Sequence, residues 1–416
     1  MTTPFVLSET GSGRATAYIE SPKIITFHGK THATWLDTPP EGFRIKIRTL
    51  DHATGQWGEA VTIGEAVDNH GGPALTVDAA GYLHIVYYSH HHPFRYHRSV
   101  RPNDASAWEP MEQFGTDLTY PTLVCAQDGT LILTARRSYE KEPWELELWR
   151  KPPGGAWTPQ GPILKSQHIN YSQYAASMSW EADHRGMVLT FRVYEQPSYD
   201  TPPVSYTWVG AMRSPDEGRT WQKLDGTPIP LPATQDTADV IFRTRSADGR
   251  NAEAGATVLG PDGKLFIAYS DRLDYSAQGY LATPRAGGGW DHLHLNPFLP
   301  PELRNHALIM SGGMAATSDG HLILLAPLLD LSDGDQYWGH PSTRLVRFES
   351  TDGGKTFTAG LLGGGMTGEP QWMPSVERAT GFNELPATPS VLYTEGGRGA
   401  GLGDMLKNHV LWRTLD

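Results

Sequence analysis

Apolar and polar residues alternate along this chain in short runs, and the runs lie on both sides of turns that carry Asp or Gly. Alternation with a period of two on either side of a Gly-containing turn predicts a β-hairpin. No stretch shows the apolar spacing of a long amphipathic helix. The pattern therefore predicts an all-β protein, with turns that begin at His28, Asp78, Asp128, Asp183, Asp262 and Asp319.

The turns recur about every fifty to eighty residues, and a period near fifty is typical of a radially repeated sheet architecture. We therefore predict a seven-bladed β-propeller of four-stranded antiparallel blades. Runs at residues 372–378 and 388–394 supply the seventh hairpin, and the final run at residues 409–415 is expected to close the ring beside the first blade. Because each blade contacts only its neighbours, residues 1–416 are predicted to form a single domain.

Two segments match an Asp-box, Ser214–Trp221 and Ser350–Phe357. Both read Ser-x-Asp-x-Gly-x-Thr followed by Trp or Phe. The Asp carboxylate can accept hydrogen bonds from the turn, Gly supplies a positive φ, and the aromatic ring fills the gap between blades. The motif is structural, and it is typical of sialidase-type and related propellers.

Composition and charge limit the classes of molecule that this chain is expected to bind. The 45 Gly and 32 Pro suit many short strands and tight turns, and the 13 Trp and 17 Tyr offer faces on which sugar rings can stack. A formal net charge of −12 with no basic run argues against nucleic acid, so an anionic substrate would need a local pocket. The single Cys125 excludes an intramolecular disulfide.

The N-terminal segment has neither a basic region nor a continuous apolar region, so no signal peptide is predicted. No segment approaches transmembrane length, and we expect no membrane partner. Localisation stays open: cytoplasmic as the sequence stands, or secreted or periplasmic if a leader has been removed.

Polar residues at the start of an innermost strand, or at the end of its hairpin partner, are expected to converge at one mouth of the ring. His70 precedes one inner strand and His90 follows its partner, so the hairpin returns His90 close to His70. In the next hairpin Tyr120 opens the strand and Arg136 ends its partner. We predict that these four residues are catalytic.

Neighbouring positions on the same mouth are predicted to bind substrate: Asn69, His91, Tyr174 and Arg192. Tyr174 and Arg192 hold in the fourth hairpin the places that Tyr120 and Arg136 hold in the third. The run His90–His92 raises zinc as an alternative. However, adjacent His side chains on a strand end point in alternate directions, and no Cys or carboxylate is expected at ligand spacing.

Imidazole, phenol and guanidinium groups together suit β-elimination at a uronic acid. The C5 proton lies next to a carboxylate and is very weakly acidic, so that carboxylate must be neutralised, which a bidentate Arg does without a metal. A base then removes the proton, and an acid protonates the departing C4 oxygen. His can do either task, and Tyr can act as base where a nearby cation lowers its pKa. No cofactor is required for this chemistry.

Three strings carry a resemblance to a known family, those that begin at Asp68, Gly81 and Tyr120. They read Asp-Asn-His-Gly-Gly-Pro-Ala-Leu-Thr-Val-Asp, Gly-Tyr-Leu-His-Ile-Val-Tyr-Tyr-Ser-His, and Tyr-Pro-Thr with Arg136 downstream. They resemble the BNR-4 type seven-bladed propellers, which include ulvan lyases and the lyases and rhamnosidases that act on rhamnose–glucuronate linkages. The resemblance implies a polysaccharide lyase in which His70, His90, Tyr120 and Arg136 form the active site. Arg136 would neutralise the uronate, while Tyr120 and one His exchange the protons.

Other functions stay open. An α-L-rhamnosidase or other glycoside hydrolase on the same propeller would work from the far face, through His28 or His32. A sialidase would need an Arg triad, a Tyr/Glu pair and an Asp, which the Asp-boxes alone do not supply, and the sequence has no recognisable Arg-Ile-Pro start. A non-catalytic glycan-binding propeller would use the aromatic residues alone. For the lyase the expected partner is an anionic glycan, and the protein is expected to be a monomer or weak oligomer. A structural calcium or zinc ion is left open, with no ligands assigned.

Overall fold

The computed structural model describes residues 3–18, 21–169, 171–196, 205–273, 276–310, 312–330, 339–363 and 365–416. Within these residues the secondary structure consists of β-strands and three 3₁₀-helices, Ser246–Asp248, Asn296–Phe298 and Pro301–Leu303. None of the helices in the described part of the chain is long and apolar enough to cross a membrane. The prediction of an all-β protein is confirmed.

The strands are short and follow one another through tight turns. Up to residue 108 they are β1 (Phe5–Gly11), β2 (Ile24–Phe27), β3 (Lys30–Asp37), β4 (Arg44–Asp51), β5 (Gln56–Trp57), β6 (Val61–Glu65), β7 (Ala74–Val77), β8 (Leu83–Tyr87), β9 (His92–Arg101) and β10 (Asp104–Trp108). To residue 245 they are β11 (Glu112–Cys125), β12 (Leu131–Arg137), β13 (Glu145–Lys151), β14 (Thr158–Lys165), β15 (Ser172–Trp180), β16 (Met187–Glu195), β17 (Tyr206–Ser214) and β18 (Asp239–Arg245). The remainder are β19 (Arg250–Leu259), β20 (Leu265–Leu273), β21 (Ser276–Pro284), β22 (Trp290–His294), β23 (Ala307–Leu308), β24 (Met314–Ala316), β25 (Leu322–Leu329), β26 (Arg344–Ser350), β27 (Thr358–Leu361), β28 (Gln371–Val376), β29 (Ser390–Glu395) and β30 (Asn408–Thr414).

These strands form antiparallel sheets in which neighbours in sequence pair with each other. The larger sheets follow the orders β28-β29-β30-β1-β3-β4-β5 and β14-β13-β12-β11-β9-β8-β7, and the smaller ones follow β15-β16-β17-β18, β19-β20-β21-β22 and β23-β25-β26-β27. The predicted inner hairpins are present as β2-β3, β7-β8, β11-β12, β15-β16, β19-β20, β24-β25 and β28-β29.

The two ends of the chain meet in one sheet. β30 pairs with β1, and β1 in turn contacts β3 through Gly11 and Asp37. The final run of the sequence thus pairs along β1, and β1 meets β3 at its last residue.

The core lies between successive sheets. Between the β11–β14 strands and the β15–β18 sheet, one apolar cluster includes Val124, Leu148, Met178 and Trp208. Comparable clusters join β16 and β17 to β19 and β20, and join the β19–β22 sheet to the β23–β27 sheet. Each sheet therefore buries apolar side chains against the next one along the chain, which is how the alternation is satisfied on both faces.

Both Asp-boxes form the predicted turns. In the first, Asp216 accepts hydrogen bonds from the backbone N–H and the hydroxyl of Thr220, both at 2.8 Å, and Trp221 is buried. In the second, Asp352 accepts from the corresponding groups of Thr356 at 3.0 and 2.6 Å. Each box links the third strand of its sheet, β17 or β26, to the strand that follows. The motif is structural here.

Candidate active site

The first hairpin of the β7–β14 sheet brings two imidazoles into contact. His70 lies just before β7 and His90 just after β8, and these strands pair antiparallel. The ring centroids are 4.0 Å apart, with 25° between the planes. The backbone at His90 has φ 96°, a left-handed conformation that is rare for residues other than Gly. Such strained positions concentrate at functional sites, where the surrounding structure over-determines them.

Asp68 joins the two rings. Its Oδ1 atom lies 3.1 Å from Nδ1 of His70 and also accepts the His70 backbone N–H at 2.8 Å, while its Oδ2 atom lies 2.5 Å from Nδ1 of His90. Burial alone would raise the pKa of Asp68, but the hydrogen bonds from the two His side chains outweigh it and hold that pKa below its ordinary range. The carboxylate is therefore ionised and acts only as an acceptor.

His70 is a neutral imidazole at physiological pH. Burial lowers its pKa to about 4, against the opposing effect of the hydrogen bond to Asp68, and Arg14 contributes in the same direction as burial. Because an ionised carboxylate cannot donate, the proton of His70 lies on Nδ1, and Nε2 keeps its lone pair. The ring is thus prepared to accept a proton at Nε2.

Tyr120 is aimed at this pair by an irregularity in its strand. The pairing of β11 with β12 shifts register between Thr119 and Thr122, and Tyr120 has φ 59°. A β-bulge of this kind turns a side chain away from its regular direction, and it accommodates Pro121, which has no N–H to donate to the ladder. The Tyr120 ring lies 6.4 Å from that of His70, and its hydroxyl accepts from Nε2 of Gln173 at 3.3 Å.

Arg136, near the end of β12, is a buried cation. Its residue is 1% exposed, and its guanidinium lies 4.7 Å from the ring centre of Tyr120 and 4.9 Å from that of Trp144. Nη2 contacts Nε2 of His91 at 3.1 Å, whereas Nε and Nη1 are buried without a hydrogen-bond partner. Among the described residues, no carboxylate forms an ion pair with it. A buried guanidinium in this condition is suited to bind an anion.

His91 supports Arg136. Burial and the adjacent Arg136 charge lower the pKa of His91 to about 4, so its neutral Nε2 can accept from the guanidinium. Its Nδ1 atom lies 2.5 Å from the hydroxyl of Ser138, and its ring packs against Trp144. The structure places this predicted substrate contact behind Arg136, where it orients the guanidinium.

Two other predicted substrate contacts face elsewhere. Tyr174 is 0% exposed, and its hydroxyl donates to the carbonyl of Trp144 at 2.6 Å, so it has no surface to offer a glycan. β15 pairs with β16 in continuous register and lacks the bulge that turns Tyr120. Tyr174 and Tyr120 therefore point in different directions although they hold equivalent positions in their hairpins. The backbone N–H of Asn69 donates to the carbonyl of Leu402, so Asn69 contacts the 401–402 segment.

Arg192 does lie in a cavity next to the cluster, and the cavity has a volume of 410 Å³. Its Nε donates to the carbonyl of Ala252 at 2.7 Å and its Nη1 to Gln173 at 2.8 Å, and it forms an ion pair with Glu253. Tyr18 adjoins the cluster from the same cavity, with its ring 4.9 Å from that of Tyr120. The polar and aromatic residues around the cavity include Arg14, Tyr18, Tyr171, Gln173, Arg192, Tyr194, Asn251 and Glu253.

The expectation that no carboxylate lies at ligand spacing is wrong. Ligand atoms of Asp68, His70 and His90 lie within 4.8 Å of one another, close enough to share a metal ion. Both Nδ1 atoms, however, are already directed at the Asp68 oxygens, so we interpret the group as a hydrogen-bonded triad rather than as metal ligands. The sequence signal for Asp68 is its spacing, since it precedes His70 by two residues.

The far-face alternative finds little support at its proposed residues. His32 is 0% exposed and its ring nitrogens are bonded to Thr49 and Asn103, and burial lowers its pKa to about 4. His28 is exposed, stacks on Phe27, and has its Nε2 atom 3.6 Å from a carboxylate oxygen of Glu384. Among the described residues, neither His stacks on a second imidazole that shares its carboxylate, as His70 and His90 do at Asp68.

Comparison with known proteins places this geometry in a family. The model of the BNR repeat-containing family matches residues 30–296, which include the His70 to Arg136 cluster. The chain belongs to the BNR repeat-containing family. Proteins that it resembles include an ulvan lyase (PL25) of Pseudoalteromonas sp. (strain PLSV), 24% identical over 317 residues, which are 65% of this chain and 62% of that protein. An ulvan lyase of Nonlabens ulvanivorans is 21% identical over 309 residues, or 65% of this chain and 64% of that protein.

The chain therefore spans less than two thirds of the length of these curated relatives. Solved structures are similar over a greater extent. A PL25 ulvan lyase superposes with a TM-score of 0.71 at 18% identity, covering 95% of this chain and 96% of the other. The polysaccharide lyase Uly1 superposes with a TM-score of 0.62 at 14% identity, covering 100% and 99%. At these identities the likeness establishes the fold.

Proposed function

We propose that this protein is a polysaccharide lyase that cleaves a glycosidic bond at a uronic acid by β-elimination. The observation that carries the proposal is Arg136, a buried guanidinium with no acidic partner among the described residues, beside Tyr120 and two imidazoles. Leaving a buried charge uncompensated is costly, and such a group is retained where a ligand supplies the opposite charge.

The uronate carboxylate is the group that Arg136 receives. Its Nε–H and Nη1–H groups are the unsatisfied donors, and they lie on different edges of the guanidinium. Each shares its edge with Nη2, so a carboxylate can accept in bidentate fashion from one of them together with the N–H of Nη2 that does not face His91. Neutralising the carboxylate makes the adjacent C5 proton more acidic, because the negative charge that develops on removal of that proton is delocalised into the carboxylate. Low exposure of the site strengthens this interaction.

Tyr120 and one of the two His side chains exchange the protons. The base takes the proton from C5, the C5–H electron pair forms the C4=C5 double bond, and the C4–O bond breaks. The departing oxygen keeps the bonding pair and receives a proton from the acid, so one group has gained a proton and the other has lost one. Exchange with water restores both groups. No oxidant or cofactor enters the step.

The substrate proposed is an anionic glycan in which glucuronate or iduronate is linked to rhamnose. Support comes from the relatives, which are named ulvan lyases, and from a PL25 ulvan lyase structure described as bound to -[GlcA(1-4)Rha3S]-, with a TM-score of 0.71 and 17% identity. The 410 Å³ cavity beside the cluster, with Arg14 and Arg192 in its wall, offers room and positive charge for a neighbouring sugar.

The fold proposed to carry this site is a single seven-bladed β-propeller over residues 1–416. In support, the sheet that contains β1 divides into the unit β28-β29-β30-β1 and the unit β2–β6, and the β7–β14 sheet divides at the β9-β11 pairing. With the remaining sheets this gives seven units. An experimental structure with another number of four-stranded units would contradict the assignment.

The test follows the product. Incubation with ulvan and with other glucuronate-rich glycans is expected to raise ultraviolet absorbance, since the new C4=C5 bond is conjugated with the carboxylate. New reducing ends without that absorbance would show hydrolysis, and binding without either change would show a glycan-binding protein; both results would refute the proposal. Arg136→Ala is expected to abolish the signal, while Arg413→Ala, which changes a buried Arg on β30, keeps it.

A further inference from the structure

Asp68 contacts both imidazoles through its two carboxylate oxygens. It is not one of the four residues predicted to be catalytic, nor one of those predicted to bind substrate. We propose that Asp68 is a positioning residue that holds both His70 and His90 in the Nδ1–H form and so fixes the orientation of the two rings together. The inference rests on the proposed lyase function for its catalytic consequence, but its structural part can be tested without any turnover.

The first argument is the hydrogen-bonding capacity of a carboxylate. Each Asp68 oxygen faces a different ring, at 3.1 Å for His70 and 2.5 Å for His90, and both contacts are made to Nδ1. Because an ionised carboxylate only accepts, both Nδ1 atoms must carry protons. Each Nε2 is then the position at which a proton can be exchanged with substrate. One residue thus decides the tautomer of two rings.

The second argument is the distance between the rings. With the centroids 4.0 Å apart, two imidazolium ions would repel each other strongly in a site of low exposure, whereas one imidazolium is stabilised by the single carboxylate. A change at Asp68 therefore acts on both rings at once.

The third argument is the asymmetry between the two rings. The Asp68 contact of His90 is shorter, and its side chain is 22% exposed against 10% for His70. Oδ1, which faces His70, is also shared with the His70 backbone N–H. The closer contact makes His90 the ring whose orientation depends more on Asp68. Burial lowers the pKa of His70 to about 4, so this ring is a neutral partner of the carboxylate at physiological pH.

The groups that face the pair of rings from the surrounding segments bear on its charge. The positive charge of Arg14 lowers the pKa of His70, and that of Arg136 lowers the pKa of the neighbouring His91. Among the described residues, the charged and titratable side chains around the pair include Arg14 and Tyr18 before β2, Asp68 before β7, His91 after β8, Tyr120 on β11 and Arg136 on β12. Asp68 is the acid among them, so its removal is expected to have an effect that no neighbour replaces.

Asp68→Asn tests the role with little change of shape. The amide keeps one acceptor and gains a donor, and the donor forces the ring that it faces to accept at Nδ1 and to carry its proton on Nε2. We expect kcat to fall on the order of 10²- to 10⁴-fold, the range of general acid–base catalysis, while KM stays within about threefold. Loss of the negative charge also disfavours the imidazolium, so the acidic limb of the pH–rate profile is expected to move to lower pH.

Asp78→Asn is the matched control. Asp78 accepts from a ring nitrogen of His84 at 3.2 Å in the same sheet, but it lies in the turn between β7 and β8, at the other end of that hairpin. The change is chemically identical, and we expect its pH–rate profile to match that of the parent protein. A shift as large as that of Asp68→Asn would mean that the effect is not specific to the pair, and it would overturn the inference.

A readout independent of turnover is the tautomer itself. Ring-nitrogen NMR of the unaltered protein is expected to show His70 and His90 protonated at Nδ1, with one of them reversed in Asp68→Asn. Nε2–H forms in the unaltered protein, or wild-type kcat and pH profile in folded Asp68→Asn, would overturn the inference. Absence of lyase activity in the parent protein with Nδ1–H rings would instead refute the proposed function alone.

Discussion

Replacing Arg136 by Met is expected to lower the activity strongly without a loss of stability. The side chain is buried, and two of its three guanidinium nitrogens have no hydrogen-bond partner. Met has a similar length and no polar hydrogen, so it fills the same space without unsatisfied donors. Arg136→Met thereby separates what the guanidinium does for folding from what it does for binding.

The magnitude follows from the contacts that are gained and lost. Each buried donor without a partner costs about 1–3 kcal/mol, and removing both favours the variant. Against this, the variant loses the contacts of the cation with the rings of Tyr120 and Trp144, worth about 0.5–2 kcal/mol each, and a hydrogen bond to His91 worth about 1 kcal/mol. The gain of about 2–6 kcal/mol and the loss of about 2–5 kcal/mol nearly cancel, so we expect the free energy of unfolding to stay within about 1 kcal/mol of the parent value or to rise above it, as is common when a buried charge is replaced by an apolar side chain.

Urea unfolding at pH 7 measures the stability, and ultraviolet absorbance on ulvan measures the activity. Loss of a preorganised charge contact is expected to lower kcat/KM by about 10²- to 10³-fold. A glucuronate-containing oligosaccharide should stabilise the parent protein, by about 2.7 kcal/mol at a hundred times its Kd, and should not stabilise the variant. A variant that is less stable than the parent by about 1 kcal/mol or more would show that Arg136 serves the fold, and the argument for an anion site would fail.

Two further substitutions test other parts of the structure. Burial raises the pKa of Glu377 to about 7 despite hydrogen bonds from Thr26 and Asn383, so unfolding releases a proton and stability falls as pH rises from about 4.5 to about 7. Glu377→Gln is expected to lose this dependence and to be more stable than the parent at pH 8 but not at pH 4, which urea titrations at the two pH values check; parallel changes at both would contradict it. Tyr174→Phe removes a buried hydroxyl that donates to Trp144 and should cost about 1 kcal/mol of stability. Its kcat and KM are expected to stay within about twofold of the parent values, and a large rise in KM would restore Tyr174 as a substrate contact.

The local part of the site could be predicted from the sequence. Alternation and Asp-Gly turns fix a hairpin by short-range geometry, and a hairpin returns its ends to the same place, so His70 and His90 were expected together and are 4.0 Å apart. Tyr120 and Arg136 follow by the same argument in the next hairpin, and the guanidinium lies over the phenol ring. Their catalytic roles stay a prediction until activity is measured.

The direction in which a side chain points from its strand depends on local irregularities in strand pairing, which the alternation of apolar and polar residues does not show. Tyr120 and Tyr174 open equivalent strands, yet the bulge on β11 turns the first toward the cluster, and the regular register of β15 buries the second. Asp68 lies two residues before His70 in the sequence. Its role depends on its contacts with both the His70 and the His90 rings, which only the folded hairpin brings together. A one-residue irregularity reverses the face of a side chain, so spacing alone cannot decide it.

By itself the sequence determined the all-β class, the hairpins and the Asp-boxes, because each depends on interactions between residues close along the chain. Only the tertiary structure decided which segments meet: Tyr18 reaches Tyr120 from a distant part of the chain, and Arg136 has aromatic rings and His91 around it in place of an acid. Those contacts depend on how whole sheets pack against each other, and packing is set by the sum of many apolar contacts rather than by any local pattern.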